Sequence, residues 1–149
     1  MRLRFSRTAD YGLRAALEAA RAPAGYLVTR DTIAGATNAP ASVLAQALAA
    51  LVRAGILAAR AGPRGGYRLA RAAEEVSIHD VVLAVDPRER EERCVLREGA
   101  CSRVGLCPFH PFLAEAQERF LDALRATSLA DVLGASGAPP GAGRGPPRG

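Results

Sequence analysis

Apolar positions near the start of the chain recur at helical spacing. In "TADYGLRAALEAARA", Ala9, Leu13, Ala16, Leu17 and Ala20 fall on one face, which predicts an amphipathic helix. In "TRDTIAGAT", Thr29 suits an N-cap and Ile33 points inward. After the turn "TNAP", Pro40 suits the first position of a further helix, where its missing N–H is not needed. "PASVLAQALAALVRAG" then carries Val43, Leu44, Ala47, Leu48 and Leu51 at helical spacing, and Gly55 is placed to end it in the left-handed conformation. A short helix, a tight turn and a second helix predict a helix-turn-helix.

The period then changes. Residues 56–59 and 67–69 read as two short strands, and "AGPRGG" between them is turn chemistry, with Gly65 and Gly66 free to take positive φ. A hairpin directly after a helix-turn-helix is a wing, and Arg60, Arg64, Arg68 and Arg71 stud it. A short helix is predicted near residues 77–85, followed by the charged loop 86–106. A stronger helix is expected over 111–125, with a helical turn after Ser128. On the long helix Phe112, Leu113, Ala116, Phe120, Leu121 and Leu124 form one stripe, which suits a dimer contact. The tail "GASGAPPGAGRGPPRG" is too rich in Gly and Pro to bury a core and is expected to be disordered.

The expected fold is therefore mostly α. It comprises a winged helix-turn-helix DNA-binding domain, a cysteine-rich loop, a long C-terminal dimerisation helix and a disordered Gly/Pro tail. The boundaries are 1–85 for the winged helix, 86–110 for the cysteine loop, 111–133 for the dimerisation region and 134–149 for the tail.

Composition sharpens this picture in one respect. The formal charge is +5, and all 20 basic residues are arginine. Arginine grips phosphate with a planar fork, so a basic surface suits nucleic acid. No apolar run of about eighteen residues occurs, so no membrane span is expected. The N-terminus has no long apolar segment of the secretory kind, and a cytoplasmic protein is expected. Paired carboxylates in a pocket, a nucleophile with its base, and a phosphate-binding loop are all lacking, so no enzyme is expected.

In a winged helix the second helix of the motif lies in the major groove and the wing reaches an adjacent groove. Ser42 and Gln46 sit one turn apart on that helix, facing away from Leu44 and Leu48. Gln pairs bidentately with adenine, and Ser contacts phosphate or base. Taken singly, both also read as solvated helix residues. Arg53, at the far end, meets a phosphate or favours the helix dipole. Arg64 is the tip candidate for a minor-groove or phosphate contact, with Arg60, Gly65, Gly66 and Tyr67 beside it.

All three cysteines fall in "CVLREGACSRVGLCPFH", spaced Cys94-x6-Cys101-x5-Cys107-x2-His110. Three thiols cannot all pair within one chain, and in a reducing compartment clustered thiols are metal ligands or redox centres. The loop carrying them has few apolar residues to anchor it. Thiolate ligation would supply that order, because binding energy becomes ordering energy. Cys3His is an accepted zinc set, so structural zinc and an iron–sulfur cluster both fit, and a metal-free redox pair is a third reading.

The stretch "IAGATNAPASVLAQALAALVRAGILAARAGPRGGYRLAR" resembles the DNA-binding domain of the IscR/NsrR family of bacterial winged-helix iron–sulfur regulators. The shared features are Ile33–Ala34, Pro40, Leu44–Gln46, Leu51, Ala54–Gly55 and the wing "GPRGGYRLAR". "MRLRFSRTADYGLRAAL" and "VSIHDVVLAVD" also resemble the family, and the similarity covers residues 1–124. Where the family often has an acidic residue before Gln46, this chain has Ala45.

The resemblance implies a cluster held by Cys94, Cys101 and Cys107 with a fourth ligand. Members resembling IscR hold a two-iron cluster with a histidine, which "CPFH" and His110 fit. Members resembling NsrR hold a four-iron cluster with an aspartate in the first helix, which "TADYGLRA" and Asp10 fit. The surroundings of Asp10 follow the second subgroup more closely, which favours four irons, although six residues rather than five separate the first two cysteines. The expected function is a homodimeric, DNA-binding repressor of transcription controlled by a cluster that senses nitric oxide, redox state or iron–sulfur status. Its expected partners are double-stranded DNA and a second copy of the chain, with no other protein partner and no membrane. The alternatives are a zinc-stabilised winged helix without sensing and a winged-helix protein-interaction module.

Overall fold

A computed structural model describes residues 5–87 and 108–135. Helix α1 spans Arg7–Arg21, α2 Arg30–Thr37 and α3 Ala41–Arg53. Strands β1, Leu57–Arg60, and β2, Gly66–Leu69, follow. After a 3-10 turn at Ala73–Glu75 come α4, Ile78–Val85, then α5, His110–Ala126, and α6, Leu129–Ala135. Among the described residues no single helix is long and apolar enough to cross a membrane.

Side-chain caps set where several helices begin. The Ser6 hydroxyl accepts from the Ala9 N–H at 3.1 Å, which starts α1. Thr29 caps α2 as expected, accepting from the Thr32 N–H at 3.2 Å. Helix α4 has a full capping box, with Asp80 N–H to Ser77 Oγ at 3.0 Å and Ser77 N–H to Asp80 Oδ2 at 3.1 Å. Pro40 is one position earlier than expected. It is the N-cap of α3, and its φ of −56° with ψ of 137° lies outside the helix.

The core gathers Ile33 from α2, Leu44, Leu48 and Leu51 from α3, Ile56 and Leu57 entering the wing, and Val81 and Val82 from α4. Leu129 of α6 is fully buried with them. Each such aliphatic side chain withdrawn from water contributes roughly 1.5–3 kcal/mol. The apolar face of α1 is rotated from the expected stripe. Ala9, Gly12, Ala15, Ala16 and Ala19 are buried, while Leu13, Leu17 and Ala20 are half-buried at its margin. Small residues let α1 approach its neighbours closely. A Cβ at Gly12 would lie 2.7 Å from Val85 Cγ1, so α1 and α4 meet there at glycine distance.

The ends of α4 and α5 are joined by backbone pairing. The Ile78 N–H donates to Thr127 O and the Leu129 N–H to Val76 O, both at 2.9 Å. Serines 77 and 128 thus face each other across an antiparallel bridge, each beginning a helix.

Candidate nucleic-acid interface and metal donors

Helices α2 and α3 are set 116° apart at a three-residue break, the angular range of a helix-turn-helix. Asn38 makes the corner in the left-handed region, at φ 52° and ψ 33°. Thr37 locks it from inside. Its buried hydroxyl donates to Ile33 O at 2.8 Å, and the Ala39 N–H donates to the same oxygen at 3.4 Å. Leu44, Ala47, Leu48 and Leu51 face the core, which leaves Ser42, Gln46 and Arg53 exposed on α3. Gly55 ends the helix with φ 70°, as the sequence suggests.

The chain passes directly from α3 into the wing, with the Ile56 N–H donating to Leu51 O at 3.0 Å. The two strands pair antiparallel, Leu57 opposite Leu69 and Arg60 opposite Gly66. The tip is a turn closed by the Gly65 N–H to Gly62 O at 2.9 Å, which puts Pro63 and Arg64 at its two central positions. Positive φ falls on Gly62, 103°, and Gly66, 157°, and not on Gly65. Gly65 is glycine for another reason: a Cβ there would collide with the Arg60 carbonyl.

Arg53, Arg60, Arg64, Arg68 and Arg71 are all exposed, and none makes an ion pair among the described residues. Residues 32–73 hold these five arginines and no Asp or Glu. The charge of this stretch is therefore only positive, concentrated at the end of α3 and on the wing, with a field that attracts polyanions. Tyr67 differs from the other candidates. It is half-buried and packs against the core.

One positioning residue escaped the sequence reading. Val28 pairs with Tyr67 through two backbone hydrogen bonds of 2.8 Å, so the segment before α2 is a third strand-like edge of the wing. The β-branched pair Val28 and Thr29 is the available signal, but one bridging residue is too short for period-two alternation to register.

Of the expected metal donors, Cys94, Cys101 and Cys107 lie outside the described residues, as does the tail from 136 onward. Among the described residues no group of three or more His, Cys, Asp or Glu could hold a metal ion. Asp10 lies in the first turn of α1 and is gripped on both oxygens by Arg14, Nε to Oδ1 at 3.2 Å and Nη2 to Oδ2 at 3.1 Å. Its side chain is 45% exposed, so it is open to an incoming ligand. His110 is the half-buried first residue of α5. By chemistry, three thiols with an accessible carboxylate or imidazole suit a thiolate-held iron centre.

Helix α5 is longer by one residue at each end than expected. Its polar side is laced by its own ion pairs, Arg119 to Glu115 at 2.7 Å and Arg125 to Glu118 and Asp122 at 3.0 and 2.9 Å. On the apolar stripe Phe120 meets Phe5, with ring centroids 6.0 Å apart, and Leu124 reaches the core. Phe112 remains 70% exposed, and no residue of α5 is fully buried.

The family model described as "Rrf2: Iron-dependent Transcriptional regulator" matches residues 5–135, through the helix-turn-helix, wing and α5. The chain belongs to the Rrf2 family. It is thus a DNA-binding transcriptional regulator. Protein rrf2 of Nitratidesulfovibrio vulgaris is 28% identical over 131 residues, covering 88% of this chain and 87% of that protein. IscR of Erwinia tasmaniensis is 33% identical over 92 residues, which is 62% of this chain and 55% of that regulator. The match to this Rrf2-type relative thus spans about half of the relative's length.

Among solved structures, IscR of T. potens superposes with a TM-score of 0.70 at 22% identity, covering 90% of this chain and 88% of that one. CymR, the global cysteine regulator of B. subtilis, superposes at 0.68 and 21%, covering 90% and 98%. At such identities the likeness establishes the winged-helix Rrf2 fold.

Proposed function

We propose that this Rrf2 regulator is a homodimeric repressor whose operator affinity is set by an iron–sulfur cluster. The observation that carries the DNA half is the acid-free stretch 32–73, with exposed Ser42 and Gln46 on α3 and unpaired arginines on the wing. Gln46 reads an adenine edge, Ser42 contacts base or phosphate, and Arg53, Arg60 and Arg64 hold the backbone. Gly65 and Gly66 shape the wing that presents Arg64, and Tyr67 fastens the wing to the core. The segments 1–85, 86–110 and 111–133 act as reader, sensor and dimer contact.

Cys94, Cys101 and Cys107 would hold the cluster, with Asp10 favoured over His110 as fourth ligand and four irons over two. When bound, such a cluster supplies a centre that nitric oxide, oxidants and iron supply alter. The segment 88–107, which carries the proposed cysteine ligands, joins α4, a core helix of the reader, to α5, whose apolar stripe stays exposed at Phe112 and Ala116 for a second copy. A change in that joint alters how two readers sit on paired half-sites, which is a coupling free energy between metal and DNA sites.

The deciding experiment is anaerobic purification with iron, acid-labile sulfide and zinc analysis, followed by duplex binding before and after iron removal. Iron with sulfide, and an affinity that changes on stripping, supports the proposal. Colourless protein with stoichiometric zinc transfers the thiols to a structural zinc site.

A further inference from the structure

We propose that Arg30 grips a backbone phosphate of bound DNA at the corner where α2 meets α3. The proposal rests on the DNA-binding reading above and adds a residue which that reading did not include. Arg30 is the exposed first residue of α2, eleven positions before the start of α3. Its guanidinium nevertheless reaches α3, with Nη2 donating to the Ala41 carbonyl at 3.4 Å. The charge is thereby drawn off its own helix and set beside the first turn of the recognition helix, next to exposed Ser42.

The bond itself does not account for an arginine at this place. A guanidinium carries five N–H donors, and this contact uses one of them, long and in solvent. Such a bond contributes little to stability. Among the described residues Arg30 makes no ion pair. Asp31, its sequence neighbour, lies in the first turn of α2 and does not engage it. Helix α3 has no acidic residue in its first turn and no side-chain cap at Pro40, so nothing anionic on that helix competes for the fork.

The geometry of the motif supplies the missing partner. In a helix-turn-helix the first helix crosses the phosphate backbone while the N-terminal residues of the second meet base edges. Arg30 stands where those two tasks meet. A fork held at one corner by a carbonyl keeps its remaining donors for a phosphate, which arginine takes bidentately. The same contact would set the depth at which Ser42 and Gln46 enter the groove.

The test measures affinity for a fluorescein-labelled mixed-sequence DNA duplex across a salt series, for the unsubstituted chain, Arg30→Ala and Arg30→Lys. Circular dichroism melting accompanies each variant. Losing one phosphate contact flattens the slope of log affinity against log salt by about 0.9. Raising salt fourfold should then cost Arg30→Ala about 3.5-fold less affinity than it costs the unsubstituted chain. Arg30→Lys should keep the slope, because the charge remains, while binding more weakly than arginine.

An Arg30→Ala protein that melts normally and keeps the full slope overturns the assignment, whether or not its affinity falls. A loss of affinity at constant slope would make Arg30 a tie between α2 and α3 only. If the unsubstituted chain shows no salt-dependent binding to any duplex, the DNA-binding reading itself fails and takes this proposal with it. The two failures are therefore distinct.

Discussion

Val28 and Tyr67, far apart in sequence, exchange both of their backbone hydrogen bonds at 2.8 Å. This pair anchors the wing to the segment entering α2, so the wing and the helix-turn-helix share one support. Gly66, beside Tyr67, makes the approach feasible. A Cβ there would lie 2.5 Å from the Val28 carbonyl oxygen, at a φ of 157°. Gly66→Ala should therefore destabilise the fold by about 2–3 kcal/mol, at the severe end of single substitutions. Urea unfolding checks this; a shift of a few tenths would mean that the wing yields without cost.

The wing tip and recognition helix should separate in their effects. With Arg64 on a phosphate, as proposed, Arg64→Ala should lower affinity alike on all sequences and flatten the salt slope by about 0.9. Gln46→Ala should instead relax discrimination at one base pair by about 1–3 kcal/mol, with the slope unchanged. Fluorescence anisotropy on an operator and its single-base variants reads both. Neither variant should alter the visible absorption of anaerobically purified protein.

Cys101→Ala should abolish bound iron and sulfide in protein purified without oxygen. Asp10→Ala and His110→Ala identify the fourth ligand, and the larger loss of visible absorption is expected from Asp10→Ala. Its pair with Arg14 is an exposed i,i+4 contact, so breaking it costs the fold less than about 1 kcal/mol. A metal effect in a variant whose metal-free form melts like the metal-free unsubstituted chain therefore reports ligation. Equal retention of iron in both variants would remove these two residues from the ligand set.

Acid should loosen the junction of α5 and α6. The Ser128 backbone N–H, at 2.8 Å, and its hydroxyl, at 2.7 Å, both donate to Asp131 and hold its carboxyl below the usual aspartate range. A depressed value means the stabilisation is complete above the unfolded aspartate pKa of about 3.9 and is lost as pH falls through the lower folded value. Asp131→Asn should therefore lose this small stabilisation at neutral pH and flatten the fall in melting temperature below about pH 4, so that variant and unsubstituted chain converge in acid. The carboxyl is exposed, so the effect is small. An unchanged acid limb in the variant would refute the linkage.

Much of the helix-turn-helix and wing was legible because its determinants are local. Helical spacing in "PASVLAQALAALVR" requires that Leu44, Leu48 and Leu51 share a face, which leaves Ser42 and Gln46 outward on α3. "GPRGG" demands a tight turn, and Gly62 and Gly65 close it. The displacement of Pro40 to the N-cap is a one-residue matter of capping geometry.

Tertiary structure decided what depends on which surfaces meet. Leu13 and Leu17 are the larger apolar residues of α1, yet the helix turns Ala9, Gly12 and Ala16 inward, because α4 comes close enough that Val85 leaves no room for a Cβ at Gly12. Composition favours the leucines, but close packing selected the small residues. Val28 joins the wing at Tyr67, and Arg30 reaches Ala41 across eleven positions. Each of these needs a partner remote in the chain. Periodicity orders only neighbours within a turn or two, whereas long-range contacts follow from how whole faces dock.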